Sequence, residues 1–531
     1  MLAKKWIDYL DKPSWPNRIV FYFVLLIAVL SVFGAVILIF RALFPDFSIL
    51  NNTIYTQYNT TQLNDMGFFD NERYLLSALV QSLAAVIALV ITLSLVAVQL
   101  AAQSYSARVI DVYKRKPDMW ILLSIYIITI FYGLGLIKII GLGVLSNYTE
   151  GAIFTAYFMG FFAFICLVPY MLKTLDLLKP STVIKLLSED ITKENILESL
   201  KIDEEIEDRD TIQPIIDMIN RALERNDYET ARNGLTSIAN SIIFIFKNTQ
   251  FESEEEAKLS NHITLHIERL GIQALNKQNE DSTLSAIVNL ERIGTQACNN
   301  GFSKAVLKTI DALEIIGKNI SETDFENLLQ QNIKALGEVG AKAIKKNYED
   351  EAQAALTALM DEGAKAAEKN LGNAAAEALK SIGYMGTKAA ENELGATSQV
   401  AAFTLQIVGT ESIKNDLDIA AMVAARELGN VGIKAAENKL KTSTAVAARA
   451  LGDVGIKAAP IKFGIAAKTA TEKLGDVGAK AAEKELEEAK TEAEKALKAL
   501  LKKANENKWD IIVKLSTEGL KKIEQKSSED K

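Results

Sequence analysis

One glycine recurs every 23 residues through the second half of the chain: Gly271, Gly294, Gly317, Gly340, Gly363, Gly386, Gly409, Gly432, Gly455 and Gly478. Four residues before each stands Leu or Ile: Ile267, Leu290, Leu313, Leu336, Leu359, Ile382, Leu405, Leu428, Leu451 and Leu474. The phrase around them repeats as "LGNVGIKAAENKL" at 428–440, "LGDVGIKAA" at 451–459 and "LGDVGAKAAEKEL" at 474–486. A period of this length marks a stacked helical repeat, because one unit alone cannot bury enough surface to fold.

Within a unit, the pattern predicts two short helices. In 441–463, "KTST" offers a turn with Ser/Thr caps, and "AVAARALGDV" is apolar at helical spacing. Gly455 is then expected to close the first helix in the left-handed conformation that glycine tolerates. A second helix like "IKAAENKL" follows. The earlier glycines Gly429, Gly452 and Gly475 fall in the last helical turn, where a missing side chain lets neighbours approach. At about 8–10 Å per helix layer, ten units stack to a length on the order of 100 Å.

The first third has a different composition. Four apolar runs, 19–40, 74–103, 119–145 and 151–172, are long enough to cross a bilayer as helices. The first is too long for a signal peptide, and no small-residue cleavage site follows it. Lys4, Lys5, Lys12, Arg18, Arg108, Lys114, Arg115, Lys116, Lys173 and Lys179 fall on one side of this topology, against Arg41 and Arg73 on the other. The positive-inside rule then places both termini in the cytoplasm of a multi-pass cell-membrane protein. Asn51, Asn59 and Asn147 begin Asn-x-Thr triplets in the outer loops and are candidate glycosylation sites; the Asn-x-Ser triplet at Asn319 shows how little the pattern proves alone.

Charge and residue inventory remove several function classes. Residues 1–180 hold 13 basic and 10 acidic residues, and the rest hold 46 against 57. An acidic second part argues against nucleic acid as a partner. Two cysteines, Cys166 and Cys298, form no disulfide framework or cysteine-rich zinc module. There is no P-loop, dinucleotide glycine motif, HExxH or nucleophile elbow, so neither catalysis nor a cofactor is expected. The two histidines, His262 and His266, stand i,i+4 with Glu268 nearby, one face of a zinc site. No further ligand is apparent nearby, and no metal is expected.

Span two carries the most informative pattern. At 100° per residue, Ser77, Gln81, Ala85, Ala88, Thr92, Leu95, Gln99, Gln103 and Ser106 share one face, while Ser82, Ser94 and Ser104 lie off it. Amides do not suit lipid tails. The stripe therefore faces protein, as a helix contact, or water, as a pore lining in an oligomer. The uncharged length from Tyr74 to Ala107 exceeds a bilayer core, so the helix is expected to continue toward the repeats. Lys138 is a candidate intramembrane ion site or a lysine snorkelling to the outer interface. Gly133, Gly135, Gly141 and Gly143 around it suggest a broken helix.

Lys342, Lys365, Lys388, Lys434, Lys457 and Lys480 each follow a repeat glycine by two residues. Glu368, Glu391, Glu437 and Glu483 stand three residues beyond their lysines, so i,i+3 pairing on a solvated face is expected rather than an anion- or lipid-binding ridge.

Two resemblances bear on these segments. "ALGEVG" at 335–340, "ELGNVG" at 427–432 and "ALGDVG" at 450–455 resemble HEAT-like repeats of the phycobilisome-lyase type, over about 260–485. That family's units run nearer thirty residues; the resemblance implies protein–protein contact and not lyase chemistry. "TLSLVAVQLAAQSYSARVI" at 92–110 and "IIDMINRALERNDYETARNGLTSI" at 215–238 resemble an uncharacterised family of prokaryotic predicted multispan membrane proteins, over about 75–240. That resemblance implies an architecture and no activity, and an archaeal source is expected.

The expected fold is all-α: a four-helix transmembrane domain (1–180), an acidic linker and helical hairpin (181–250), a cytoplasmic α-solenoid of about ten 23-residue helix-turn-helix repeats (251–485), and a charged helical C-terminal cap (486–531). The expected role is a protein-interaction scaffold at the membrane, with lipids and a cytoplasmic protein as partners. The alternative is a homo-oligomeric ion channel lined by span two, with the solenoid as gate or collar.

Overall fold

The computed structural model describes parts of 20–27, then residues 62–104, 117–141, 149–176, 178–200, 210–459 and 464–529. It divides into two units, 1–186 and 187–531. Every regular element among the described residues is helical.

In the first unit, α1 (Gln62–Ser104), α2 (Pro117–Gly141) and α3 (Thr149–Asp176) pack against one another. Their apolar stretches Asp70–Leu100, Asp118–Ile140 and Gly151–Asp176 are long enough to cross a membrane. Most of the first expected span, 19–40, lies outside the described residues; so do Asn51, Asn59, Asn147, Ser106 and Gly143. Leu83, Val90, Leu122, Tyr126, Phe162 and Cys166 form the core between the three helices. Leu89, Leu95, Ile128, Phe131, Phe161 and Val168 point outward and are exposed. A water-soluble bundle would not present such a surface, whereas lipid tails cover it.

One expectation changes here. The helix around Lys138 is not broken: α2 runs unbroken through Gly133 and Gly135 to Gly141. Gly133 serves contact instead, since a Cβ there would stand 2.6 Å from Val80 Cγ2 on α1. α1 begins at Gln62, ahead of the expected start of span two, and the expected continuation past Ser104 falls outside the described residues.

The second unit opens with α4 (Pro180–Glu189) spanning the division and α5 (Lys193–Ser199), followed by α6 (Gln213–Glu224) and α7 (Tyr228–Asn248), an antiparallel pair. The repeat then runs as α8 (Ser253–Asn276), α9 (Glu280–Asn300), α10 (Ser303–Ser321), α11 (Glu326–Lys345), α12 (Glu349–Glu368), α13 (Gly372–Glu391), α14 (Gly395–Lys414), α15 (Asp418–Glu437), α16 (Lys441–Ala458), α17 (Gly464–Glu483), α18 (Glu487–Asn507) and α19 (Asp510–Glu529). Each packs on the next helix and on the next but one. The helices therefore form two layers, odd-numbered and even-numbered, and the structural repeat is a pair.

This corrects the reading of the unit. Twenty-three residues make one helix of about five turns and a short corner, not two short helices. The repeat glycines do not close helices: Gly432 lies well inside α15, and Gly386 well inside α13. The corner uses other residues. Asn347, Asn370, Glu393, Asp416, Lys439, Glu485 and Lys508 carry φ near +60° in the same 23-residue register, with Gly301 at +90°. The residue after each is apolar: Tyr348, Leu371, Leu394, Leu417, Leu440, Leu486 and Trp509. Its amide reaches back across the corner, as Leu440 N–H does to Ala435 O at 2.9 Å. That is the Schellman arrangement, with its usual apolar contact. Ser443 and Thr444 do not cap either; Ser443 Oγ donates to Gly395 O, 2.9 Å away across the layer.

What the glycines provide is proximity. A Cβ on Gly432 would stand 3.1 Å from Ala447 Cβ on the next helix and 2.9 Å from Val477 Cγ2 on the next but one. The same pair of offsets recurs at Gly363, which faces Ala378 and Val408, and at Gly386, which faces Ala401 and Val431. The ten Leu/Ile residues four positions earlier are all fully buried. Alanine-rich faces keep helix propensity high while letting axes come close.

Candidate functional site

On α1, the described residues place the polar stripe away from the other helices. Gln81, Ala85, Ala88, Thr92, Leu95, Gln99 and Gln103 are exposed and Ser77 is partly so. The helix contact is made by the opposite face, through Leu76, Val80, Leu83, Val90 and Ala97. Some of the stripe's polarity is met locally: Gln81 Nε2 donates to Ser77 Oγ at 3.3 Å, and Thr92 Oγ1 to Ala88 O at 2.8 Å. The stripe is not a contact between these three helices.

One polar group of α1 that does join helices is Ser94, which the 100° projection leaves off the stripe. Its hydroxyl lies 2.6 Å from that of Tyr170 on α3 and also bonds Val90 O. Both hydroxyls border an apolar cavity of about 160 Å³ that Tyr126, Met119 and Trp120 also line. At one end of the unit, Tyr157 Oη donates to Glu72 Oε2 at 2.7 Å; elsewhere Lys173 Nζ stands 3.8 Å from Asp118 Oδ1. Lys138 is exposed in the last turn of α2. That is where a lysine reaches an interface rather than a buried ion path.

Of the lysines after the repeat glycines, Lys388 pairs with Glu391 at 2.7 Å, Lys434 with Glu437 at 3.1 Å and Lys480 with Glu483 at 2.9 Å. Lys365 instead bonds Glu322 two helices earlier. The face is a solvated one laced with ion pairs, worth little individually.

Two solenoid features have no counterpart in the repeat phrase. Ile419, Ile465 and Ile511 are 69%, 67% and 64% exposed. Each is the second residue of its helix, α15, α17 and α19, which are neighbours in one layer. They form an apolar line along one edge. The other feature is a polar cell in the core. The column that packs over the glycines reads Ile316, Val339, Glu362, Met385, Val408, Val431, Val454 and Val477. Glu362 interrupts it, 2% exposed, above Gly317. Asn332, where the unit before has Thr309 and the unit after has Ala355, donates from Nδ2 to Glu362 Oε1 and to Leu313 O, both at 2.9 Å. Burial holds the Glu362 carboxyl well above the usual carboxylate range. A cleft of about 530 Å³ bordered by Lys318, Glu322, Asp361 and Lys365 opens beside it.

His262 and His266 lie on α8 with their rings perpendicular, centroids 4.5 Å apart. The structure adds a third group, Asp210, just before α6. It is buried, and its Oδ2 stands 3.1 Å from His262 Nε2 and 3.4 Å from His266 Nε2. Burial alone would push the Asp210 carboxyl up; the two histidines and the Ile212 amide hold it well below the carboxylate range. Glu268 is not part of the cluster. Cys298 is buried, which pushes its thiol up to about 12 and makes it unreactive.

Residues 17–218 match the model of a family described as "Predicted membrane protein (DUF2254)". The match covers the helices of the first unit and reaches into α6. No curated protein matches the chain. Among solved structures, one described as "Circular tandem repeat protein with novel repeat topology and enhanced subunit contact surfaces" is 13% identical, with a TM-score of 0.37 over 65% of this chain and 89% of that one. Neither match is to a repeat of the phycobilisome-lyase type.

Proposed function

We propose that this is a four-span membrane protein whose solenoid works as a docking arm for a protein partner on the cytoplasmic side, with no catalytic step of its own. The observation that carries the reading is the line of Ile419, Ile465 and Ile511. Three isoleucines at equivalent positions of neighbouring helices in one layer leave apolar surface in water, and such aligned surface marks an interaction site. The cytoplasmic side follows from the lysine and arginine count between the spans.

The test is site-specific photo-crosslinking in cells, with the reactive side chain at 419, 465 or 511 and a control at exposed Lys502 on the other layer. One common protein should cross-link from all three isoleucine positions and not from Lys502, and Ile465→Asp should abolish the product from 419 and 511. No product, or the same products from Lys502, would end the reading.

The exposed stripe of α1 favours one second reading, a channel built from several copies with Gln81, Thr92 and Gln99 around a lumen. Ion flux into liposomes holding the purified protein, lost in Gln99→Leu, supports it; a monomer in detergent with no flux removes it.

A further inference from the structure

We infer that Asp210, His262 and His266 form a binding site for a divalent transition-metal ion of the zinc class, which fastens the start of α6 to α8. The three ligand atoms lie within 4.8 Å of one another. Both Nε2 atoms converge on one carboxylate oxygen, at 3.1 and 3.4 Å. A zinc ion with bonds of about 2.0–2.1 Å has ligand-to-ligand edges of about 3.3 Å when tetrahedral. The two imidazole-to-carboxylate separations, 3.1 and 3.4 Å, match that edge, and the two imidazole nitrogens lie within 4.8 Å of each other.

Hydrogen bonding alone accounts for the arrangement poorly. His262 Nε2 is buried and makes no aligned hydrogen bond, although Asp210 Oδ2 is near. An ion between the two imidazoles and the carboxylate would satisfy all three, the unpartnered His262 Nε2 included. The supports are also those of a ligand set. The i,i+4 spacing fixes both rings on one face of a 24-residue helix. Asp210 Oδ1 accepts the Ile212 amide at 3.0 Å, which orients the carboxylate and leaves Oδ2 for the ion.

The donor set selects the metal class. Two imidazoles and one carboxylate suit zinc, cobalt or nickel, while calcium and magnesium require oxygen donors. Three protein ligands leave one tetrahedral position for water. The histidines are only 13% and 15% exposed at the side chain, which leaves little room for a larger ligand.

The chain contains no histidines besides these two, so histidine chemistry reports on this site alone. Full-length protein in detergent, carrying a tag without histidine, is stripped with chelator and titrated with Zn²⁺ or Co²⁺. One ion should bind per chain, Co²⁺ should show tetrahedral visible bands, and Zn²⁺ should protect both histidines from diethyl pyrocarbonate. Asp210→Asn and His266→Gln should each weaken Zn²⁺ by about 100-fold, and Glu268→Gln should bind as the parent does. If either ligand variant fails to fold, protection in the parent protein still decides. Absence of protection by Zn²⁺, or affinity unchanged in both ligand variants, overturns the site.

Discussion

The polar cell at Gly317 makes a quantitative prediction, because the next unit shows its apolar equivalent. Over Gly340 the same two positions hold Met385 and Ala355. The double change Asn332→Ala with Glu362→Met should therefore rebuild one cell in the image of the other. In the native cell, Asn332 Oδ1 and Glu362 Oε2 are buried without a hydrogen-bond partner. Each such buried polar atom costs about 1–3 kcal/mol, and each of the two hydrogen bonds lost contributes about 1 kcal/mol net. The variant should gain about 2 kcal/mol, enough to lower the locally opened population of α10, α11 and α12 by roughly 30-fold. Hydrogen exchange on the full chain reads this directly.

The gain should depend on pH with a definite sign. The folded state holds the Glu362 proton above the unfolded carboxyl value of about 4.3, so in that window the folded chain binds more protons. Native stability then falls as pH rises, by about 1.4 kcal/mol per pH unit until the folded value is passed. The variant, which has no proton to retain, should be furthest ahead at high pH and closest to the parent near pH 4. A variant less stable than the parent at pH 7, or a difference flat from pH 4 to 8, would refute the reasoning.

Three further outcomes follow from the packing. Gly432→Val places methyls against Ala447 and Val477 and should destabilise by about 1–3 kcal/mol in denaturant titration, whereas Gly464→Ala, with nothing within 4 Å, should be neutral or stabilising. Lys439→Gly removes the strain of a side chain at φ +56° and should stabilise by about 0.5–1 kcal/mol in the same assay. Tyr170→Phe removes the bond to Ser94 and should lower the thermal stability of the detergent-solubilised protein by the equivalent of about 1 kcal/mol.

The period, the helical class and the buried Leu/Ile positions were legible because repetition amplifies a weak signal over ten units. The conformation of a unit was not, because glycine serves two purposes. It suits a helix end and it suits a close crossing, and spacing does not separate them. The true corners carry Asn, Asp, Lys and Glu, whose presence there tells nothing without the fold. Asp210 lies 52 positions before His262, inside an acidic run with many equivalent carboxylates. Only packing of α6 and α8 selects it. Glu362 and Asn332, by contrast, could have been found by reading down the aligned columns, where each interrupts a nearly unbroken apolar series. The stripe of α1 was visible as a stripe, but a helical projection does not say which face meets the other helices.

The two-layer arrangement restricts how this chain can change in length. Losing a helix pair, the stretch from Ile419 to Gly464, would leave the remaining helices in their own layers with their own partners. Losing a single helix would turn every later one end over end and carry Ile465 and Ile511 to the opposite margin. Insertions and deletions tolerated by descendants of this gene should therefore come in even numbers of helices.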